Sequence, residues 1–446
     1  MRGPLRARTP TARRPYNPIM PRSSRRSFAT LATVGLLLPV VGCSSDSANA
    51  PSTIPPPTTT PVVRVDDGVL TIGVLTPQGS ANADIGQAIR TAVTLAVDTI
   101  NKAGGYKGRN VVLRPADEGV AGVGIDPAIA KLLSEQVDAI VGPASSTNAL
   151  AGLREIVDSG VMACSPTASA QLLDDYPDKN LFFRTIPSDS MQALAIAEAV
   201  DRTGASRATV TYIDDDYGQG FADAVKAALA SKEIEQQAVI PYSADNVSIR
   251  AAAGKVVGAA TGVIVVIGDA TSGPVMLGEI DAQERNVLPQ YIVNDAMRRP
   301  TASAEPMGAS LALRVRGISP VAYSSDEHFL AQLGATPADP SPYAANAFDC
   351  VNLIALAALA GDSTQPDVIA REIPLVSDSG SPCMTFVDCR DDIAAGSNIN
   401  YDGPGGTLTI GTDGDLAAAV FDLFGFDKTG RDENVGTVRC TLRDCS

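Results

Sequence analysis

Residues 137–164 read VDAIVGPASSTNALAGLREIVDSGVMAC. A short apolar run opens the segment, and residues 147–159 then place apolar side chains at every third or fourth position, the period of an amphipathic helix. A second apolar run follows at 161–164. This order of strand, helix and strand is typical of a parallel sheet with crossover helices.

The same alternation extends in both directions along the chain. The predicted strands are residues 69–76, 110–114, 137–141, 161–164, 208–213, 235–240, 263–267 and 290–293. The predicted helices are residues 82–101, 127–136, 147–159, 190–203, 220–231, 247–260, 275–286 and 343–360. Because the alternation stops near residue 187 and restarts at 190, it predicts two α/β lobes, each a doubly wound parallel sheet. Residues 317–320 (GISP) break the pattern.

The last predicted helix, 343–360, is apolar and carries few charges. Such a helix is expected in the core of the first lobe. A membrane-spanning role does not fit, because Asn346, Asp349 and Asn352 interrupt its apolar surface.

The N-terminal 42 residues have the features of an export signal. They contain eight arginines and no acid, followed by an apolar run at 31–41 that is too short to span a bilayer. The run ends in Val-Val-Gly-Cys, which resembles a lipobox and predicts lipidation of Cys43. Residues 24–28 (SRRSF) resemble a twin-arginine signal, and both that route and the general secretory route remain open. Met20 is an alternative start, because the signal is complete from there.

Residues 43–67 are rich in Pro, Ser and Thr and read as a tether. An ordinary buried thiol is the alternative interpretation of Cys43, but this flanking segment cannot pack around it. The sequence therefore predicts an exported protein held by lipid on the extracytoplasmic face of the cell membrane.

Composition sets the size and charge of the exported body. The full chain carries a net charge of −15, and removal of the arginine-rich signal makes it more acidic. Nucleic acid is a poor partner for such a surface. About 400 residues are too many for one core, so two domains are expected. Trp is absent and aromatics make up only 4% of the chain, which fits packed β/α units.

Six cysteines follow Cys43, and an exported location permits disulfides. Two pairs are close enough in sequence to close short loops, Cys383 with Cys389 and Cys440 with Cys445. Cys164 and Cys350 are left to pair with each other or to stay as buried thiols. Zinc is the competing interpretation, but the chain has no CxxC and only one histidine, His328.

Several segments together resemble the type I periplasmic binding proteins of the leucine/isoleucine/valine-binding class, over nearly all of residues 68–435. They are LTIGVLTP (70–77), INKAGG (100–105), AIVGPASST (139–147), SPTAS (165–169), DDDYGQG (214–220) and INYDGP (399–404). The resemblance implies two lobes joined by three hinge crossings near residues 188, 320 and 405. It assigns 68–188 with 321–405 to lobe 1, and 189–320 with 406–446 to lobe 2.

Hydroxyl side chains are the candidate ligand contacts of the first lobe. Ser145, Ser146 and Thr147 stand at a predicted helix start, where hydroxyls and backbone N–H groups suit an anionic group of the ligand. Helix capping is the alternative role for each of them. Thr167 and Ser169 match the second polar loop of the family, with a plain Ser-Pro turn as the alternative.

The second lobe contributes one tyrosine and two acids. Tyr217 matches the ligand-facing tyrosine of the family, and a packed loop residue is the alternative. Asp269 and Asp295 each follow a predicted strand at the level of the cleft. The resemblance makes Asp295 the counter-ion of a ligand ammonium, although Asp stands where amino-acid binders carry the longer Glu. A solvated loop acid is the alternative.

The sequence argues against an enzyme. His328 is the only imidazole available for a Ser-His-Asp triad, and it lies in a polar run that predicts a surface position. No G-x-S-x-G elbow, Walker lysine loop or dinucleotide fingerprint occurs. We expect no catalytic residue, no cofactor and no bound metal.

The resemblance implies the substrate-binding component of an ABC importer, which captures a small polar ligand such as an amino acid or a related carboxylate or amide. Its partners would be the ligand, a membrane permease and, through the lipid anchor, the membrane itself. The alternative is a ligand-sensing receptor of the same fold that reports to a signalling partner.

Overall fold

The computed structural model describes residues 66–446 except 80–82, 121, 270, 284–287, 299–307, 321–325, 336–340, 379, 428–429 and 431. The predicted signal (1–42), Cys43 and all but the last two residues of the tether lie outside the described residues.

The strands and helices alternate as follows. The strands are β1 (Thr71–Thr76), β2 (Val112–Asp117), β3 (Ala139–Val141), β4 (Met162–Ser165), β5 (Phe182–Arg184), β6 (Arg207–Ile213), β7 (Glu235–Tyr242), β8 (Val263–Ile267), β9 (Gln290–Val293), β10 (Val315–Pro320), β11 (Ser381–Cys383), β12 (Ile399–Tyr401), β13 (Ala418–Phe426) and β14 (Asp432–Thr441). The helices are α1 (Ala83–Lys102), α2 (Asp126–Ser134), α3 (Ser146–Asp158), α4 (Asp189–Asp201), α5 (Asp216–Ser231), α6 (Asn246–Ala259), α7 (Ser272–Asp281), α8 (Ala309–Ala312), α9 (Glu327–Leu333), α10 (Ala344–Ala360), α11 (Pro366–Val376) and α12 (Phe386–Ala394).

The first lobe is built on a five-stranded parallel sheet in the order β2-β1-β3-β4-β5. In this order the strands wind one way from β1 to β2 and the other way from β1 to β3. The gap between β1 and β3 is therefore the switch point, where open α/β sheets place their ligands. Gly142 directly follows β3 with φ +117°, and a side chain there would collide with the Leu75 carbonyl oxygen.

The second lobe repeats the winding. Its seven-stranded sheet has the order β14-β13-β10-β9-β8-β6-β7, and the five strands from β10 to β7 pair in parallel. All five residues of β8 are buried, as expected for a strand covered on both faces. The chain passes between the two sheets three times: after β5, after β10 and before β13. The two-lobed α/β fold predicted from the sequence is confirmed.

Two parts of the second sheet differ from the sequence prediction. Residues 317–320, interpreted as a break in the pattern, form the end of β10, because Gly317 lets the strand lie against the ring of Phe424. The C-terminal hairpin of β13 and β14 extends the same sheet through antiparallel pairing and was not predicted.

The helix α10 lies in the core of the first lobe, as predicted, and its residues pack against both sheet and neighbouring helices. Its polar side chains Asn346, Asp349 and Asn352 are buried and take part in hydrogen bonds. Among the described helices none is both long enough and apolar enough to cross a membrane.

The described residues contain three disulfides. Cys383–Cys389 and Cys440–Cys445 close the two short loops that their spacing predicted. Cys164 and Cys350, whose pairing the sequence left open, are also bonded to each other and join β4 to α10 across 186 residues of chain. Cross-links that close long loops constrain the unfolded chain most, so this bond stabilises the first lobe.

Candidate functional site

The three hydroxyls predicted to meet an anion lie beside the switch point of the first sheet, at the start of α3. Ser145 is the N-cap of this helix, and its Oγ accepts a hydrogen bond from the Asn148 N–H at 3.4 Å. Ser146 Oγ accepts one from the Ala170 N–H at 3.2 Å, while Thr147 is exposed. Ser145 therefore has the capping role that the sequence offered as the alternative, and Ser146 ties the loop after β3 to the loop after β4.

A buried acid that sequence reasoning missed lies behind this loop. The Glu118 carboxylate accepts hydrogen bonds from the N–H groups of Ala144, at 2.7 Å, and Ser145, at 3.1 Å. Burial raises the pKa of Glu118 to about 7. Two of the amide donors nearest the helix start are thus already occupied, so an anionic ligand group would have to use the N–H groups of Ser146 and Thr147. Glu118 comes one residue after β2, at the carboxyl edge of the sheet. This position in the sequence could have identified it as a candidate site residue.

The second polar loop of the first lobe follows β4. Thr167 Oγ1 donates a hydrogen bond to the Ala144 carbonyl oxygen at 2.7 Å, which closes this loop onto the first. Ser169 hydrogen-bonds through its hydroxyl to the carboxylate of Asp189. Of the two predicted residues, only Ser169 contacts a buried acid, Asp189.

Asp189 is a buried acid near Ser169 and Asp295, and the sequence analysis did not select it. It is the first residue of α4, just after the chain passes from the first lobe to the second, and it is 2% exposed. Its Oδ1 receives no hydrogen bond from any described protein group. Burial, and next the charge of Asp295, raise the pKa of Asp189 to about 7.

Asp295 lies in the same cluster, after β9 of the second lobe. Its Oδ1 accepts a hydrogen bond from Gln192 Nε2 at 2.9 Å, and its Oδ2 accepts one from the Tyr343 hydroxyl at 3.5 Å. Tyr343 precedes α10 of the first lobe, so this contact joins the two lobes. Burial raises the pKa of the Asp295 carboxyl above its usual range.

Tyr217 completes the cluster from the second lobe. Its hydroxyl accepts a hydrogen bond from Asn294 Nδ2 at 3.3 Å, and its ring packs edge-on against Phe221 at 5.8 Å. Burial and then the charges of Asp189 and Asp295 hold the pKa of the Tyr217 hydroxyl well above its usual value. The structure thus brings Ser169, Tyr217 and Asp295 together and adds Asp189, Gln192 and Tyr343. We call these six residues the cleft cluster.

Asp269 has a different role in the structure. Its Oδ1 accepts hydrogen bonds from the N–H groups of Thr271, at 2.7 Å, and Ser272, at 2.5 Å, and so satisfies the start of α7. No hydrogen bond among the described residues joins Asp269 to the cleft cluster. Asp269 follows β8 at its carboxyl end, and its carboxylate accepts hydrogen bonds from the start of α7.

The electrostatics of the cleft cluster favour a cation. Two buried carboxylates that raise each other's energy are stabilised by a proton or by a positive group placed between them. No Lys, Arg or His side chain hydrogen-bonds to either acid in the described part of the chain. Nor do the described residues contain a group of three or more His, Cys, Asp or Glu side chains that could hold a metal ion. The two buried carboxylates, each with its pKa raised, can hold an ammonium or similar cationic group between them.

The chain is similar to known binding proteins over most of its length. The family model described as periplasmic binding protein matches residues 69–427. The Leu/Ile/Val-binding protein homolog 3 of Brucella melitensis is 32% identical over 181 residues, which are 40% of this chain and 49% of that protein. The chain thus spans about half the length of the curated relatives it matches.

Solved structures share the fold. The substrate-binding protein LivJ of a branched-chain amino acid transporter from Streptococcus pneumoniae, in complex with isoleucine, has a TM-score of 0.63 and 20% identity, and covers 83% of this chain and 99% of its own. A solute-binding protein of an ABC transporter from R. palustris, in complex with benzoate, has a TM-score of 0.63 and 16% identity, with 85% and 98% covered. At these identities the likeness concerns the fold alone.

Proposed function

The chain belongs to the periplasmic binding protein family, and from this premise we propose that it is the extracytoplasmic substrate-binding component of an ABC importer. It captures a small polar ligand that carries an amino group, such as an amino acid or a related amide, in the cleft between its lobes. The observation that carries this proposal is the pair of buried carboxylates, Asp189 and Asp295, in contact with side chains from both lobes.

The cleft cluster gives each end of such a ligand a partner. The amino group would lie between Asp189 and Asp295, where its charge offsets the cost of burying two acids. A carboxylate or amide oxygen would face the N–H groups of Ser146 and Thr147 at the start of α3, where the helix dipole favours it. Because these groups belong to different lobes, a ligand that meets both favours the closed form, and the closed form is what a permease would recognise.

Ligand binding is tested by thermal denaturation of residues 44–446 against amino acids, amides, amines and aromatic acids. A ligand that binds only the folded protein should stabilise it by about 2.7 kcal/mol when present at a hundred times its dissociation constant. We expect a rise in melting temperature with amino-group ligands and a smaller one, or none, with acids that lack the amino group. A screen in which no small molecule raises the melting temperature would contradict the proposal.

We also propose that the protein is anchored by lipid on Cys43, which follows the lipobox-like Val40, Val41 and Gly42. One diacylglyceryl group supplies two acyl chains, enough for stable attachment. The variant Cys43→Ser should therefore move the protein from the membrane fraction to the soluble exported fraction, measured by fractionation and immunoblot. Retention of that variant in the membrane fraction, in a form still cleaved from its signal, would show that the anchor lies elsewhere.

A further inference from the structure

A fully buried acid lies beneath the third passage between the lobes, the segment that joins β12 to β13. Asp349 belongs to α10 of the first lobe and is 0% exposed. Its Oδ2 accepts a hydrogen bond from the Gly405 N–H at 2.8 Å, and its Oδ1 accepts one from the Tyr401 hydroxyl at 2.8 Å. The carboxyl group of Asp349 therefore holds the start of the third passage against the core of the first lobe.

The third passage lies directly on this carboxyl group. A side chain at Gly403 would collide with Asp349 Oδ1, and a side chain at Gly405 would collide with Asp349 Oδ2. Gly405 itself is half-buried. On this side, one layer of backbone is thus the whole cover between the carboxyl group and solvent.

No positive charge compensates this acid. The titratable groups that face it are Tyr401 of β12 and Asp402 at the start of the third passage. The strands β3 and β4, which pack against α10, carry no charged side chain. On the helices packed against α10, which are α1, α9, α11 and α12, the half-buried charged residues are Arg90, Glu372, Arg390 and Asp392, and the others are exposed. Among the described residues, no Lys, Arg or His side chain hydrogen-bonds to Asp349.

An acid in these surroundings is most stable with its proton, because a carboxylate out of water and without a cation is costly. Burial raises the pKa of Asp349 to about 8, although the hydrogen bonds from Tyr401 and Gly405 favour the charged form, and the charge of Asp402 adds to the rise. Burial and then the charge of Asp349 hold the pKa of the Tyr401 hydroxyl well above its usual value. Of these two groups, Asp349 is therefore the one that titrates near neutral pH.

The hydrogen bonds around Asp349 can accommodate that proton. When the acid is ionised, Asn352 Nδ2 donates to the Tyr401 hydroxyl at 3.0 Å, Tyr401 donates to Asp349, and Asn352 Oδ1 receives no hydrogen bond from any described group. When the acid is protonated, the chain can run the other way, from Asp349 to Tyr401 and from Tyr401 to Asn352 Oδ1 after a half-turn of the amide. The Gly405 N–H donates to Asp349 Oδ2 in both arrangements.

We propose that Asp349 carries a proton in the folded protein at neutral pH, and that this neutral acid holds the third passage against α10. Loss of the proton leaves a negative charge beneath the passage without a cation, and water reaches that charge most directly by displacing the backbone of residues 403–405. The joint between the lobes is therefore firm at acidic and neutral pH and loosens at alkaline pH. It does not depend on which ligand the cleft takes.

The variant Asp349→Asn tests for the proton, because asparagine has the shape of the neutral acid. A folded protein that holds a proton more tightly than its unfolded chain loses stability as the pH rises toward the folded pKa. From about pH 5 to about pH 7 the unfolding equilibrium constant of the parent chain should rise about a hundredfold more than that of the variant, measured by denaturant unfolding. Glu118 and Asp189 also have raised pKa values, but both proteins contain them, so their effects cancel.

A matched control makes the same chemical change at the surface. Asp98→Asn, at an exposed position of α1, should keep the pH dependence of the parent chain. Hydrogen exchange then tests the joint itself. In the parent chain the protection of residues 402–408, corrected for the intrinsic exchange rate, should fall at least about tenfold from about pH 7 to about pH 9, and it should stay constant in Asp349→Asn.

Two results would overturn the proposal. Equal pH dependence of unfolding in the parent chain and in Asp349→Asn would show that Asp349 is already ionised in the folded protein. Unchanged protection of residues 402–408 at alkaline pH, or an equal fall in Asp349→Asn, would show that the proton does not hold the passage. If the variant does not fold, hydrogen exchange of the parent chain decides alone, and constant protection would then reject the joint.

Discussion

Replacement of Asp295 by asparagine should weaken binding of the stabilising cleft ligand by roughly 30-fold to 3,000-fold. The estimate corresponds to about 2–5 kcal/mol for removal of one member of a buried charge pair, with each 1.4 kcal/mol equal to tenfold. Asparagine keeps the shape of the side chain and an oxygen for Gln192 Nε2, so the loss reflects the missing negative charge rather than a cavity. Isothermal titration with the ligand found by thermal denaturation gives both dissociation constants.

Two controls separate this charge effect from a general disturbance. Asp98→Asn, on the exposed face of α1, makes the same chemical change away from the cleft and should leave affinity unchanged. A ligand analogue without the amino group should bind the parent chain weakly and should lose little further in Asp295→Asn. If both ligands lost affinity equally, the amino group would not be the partner of Asp295, and the cationic part of the proposal would fail.

The fold was readable from sequence where local pattern and tertiary environment agree. Residues 263–267 (VIVVI) form a fully buried strand with the predicted bounds. A central parallel strand is covered on both faces, so its sequence is a continuous apolar run that is easily recognised. The C-terminal hairpin was missed for the opposite reason. Its strands alternate between faces that pack on two different clusters, and its residues include Asp422 and Gly425, which are poor strand formers.

The cleft cluster was only half predictable. Asp295 could be chosen because it follows a strand at the carboxyl edge of the sheet. Asp189 could not, because an acid in the first turn of a helix is explained by the helix dipole without any ligand. Tyr343 lies 48 residues from Asp295 in sequence. It precedes α10 of the first lobe, whereas Asp295 follows β9 of the second lobe, so the two meet only in the folded protein. Sequence spacing carries no information about such a contact.

A buried ion-pair network near the first passage is expected to dominate local stability. Arg184 is fully buried at the end of β5. Its Nε and Nη2 donate hydrogen bonds to the two carboxylate oxygens of Asp415 at 2.6 and 2.5 Å, and Nη2 donates a third to Asp174 Oδ1 at 2.7 Å. Asp174 in turn accepts hydrogen bonds from the hydroxyls of Ser188 and Ser190, both at 2.6 Å. One guanidinium thus ties the first passage to the segment that leads into β13.

The variant Arg184→Met should therefore lower the free energy of unfolding by about 3–5 kcal/mol, because it leaves two partly buried carboxylates without a cation. Denaturant unfolding of the ligand-free protein measures the change. Arg202→Met, which breaks a half-exposed pair with Glu198, should cost less than about 1 kcal/mol. Since the cost arises from the stranded acids, Arg184→Met combined with Asp415→Asn should recover part of it. A loss below 1 kcal/mol in the single variant, or a double variant less stable than the single one, would mean that packing around residue 184 and not charge compensation holds this region together.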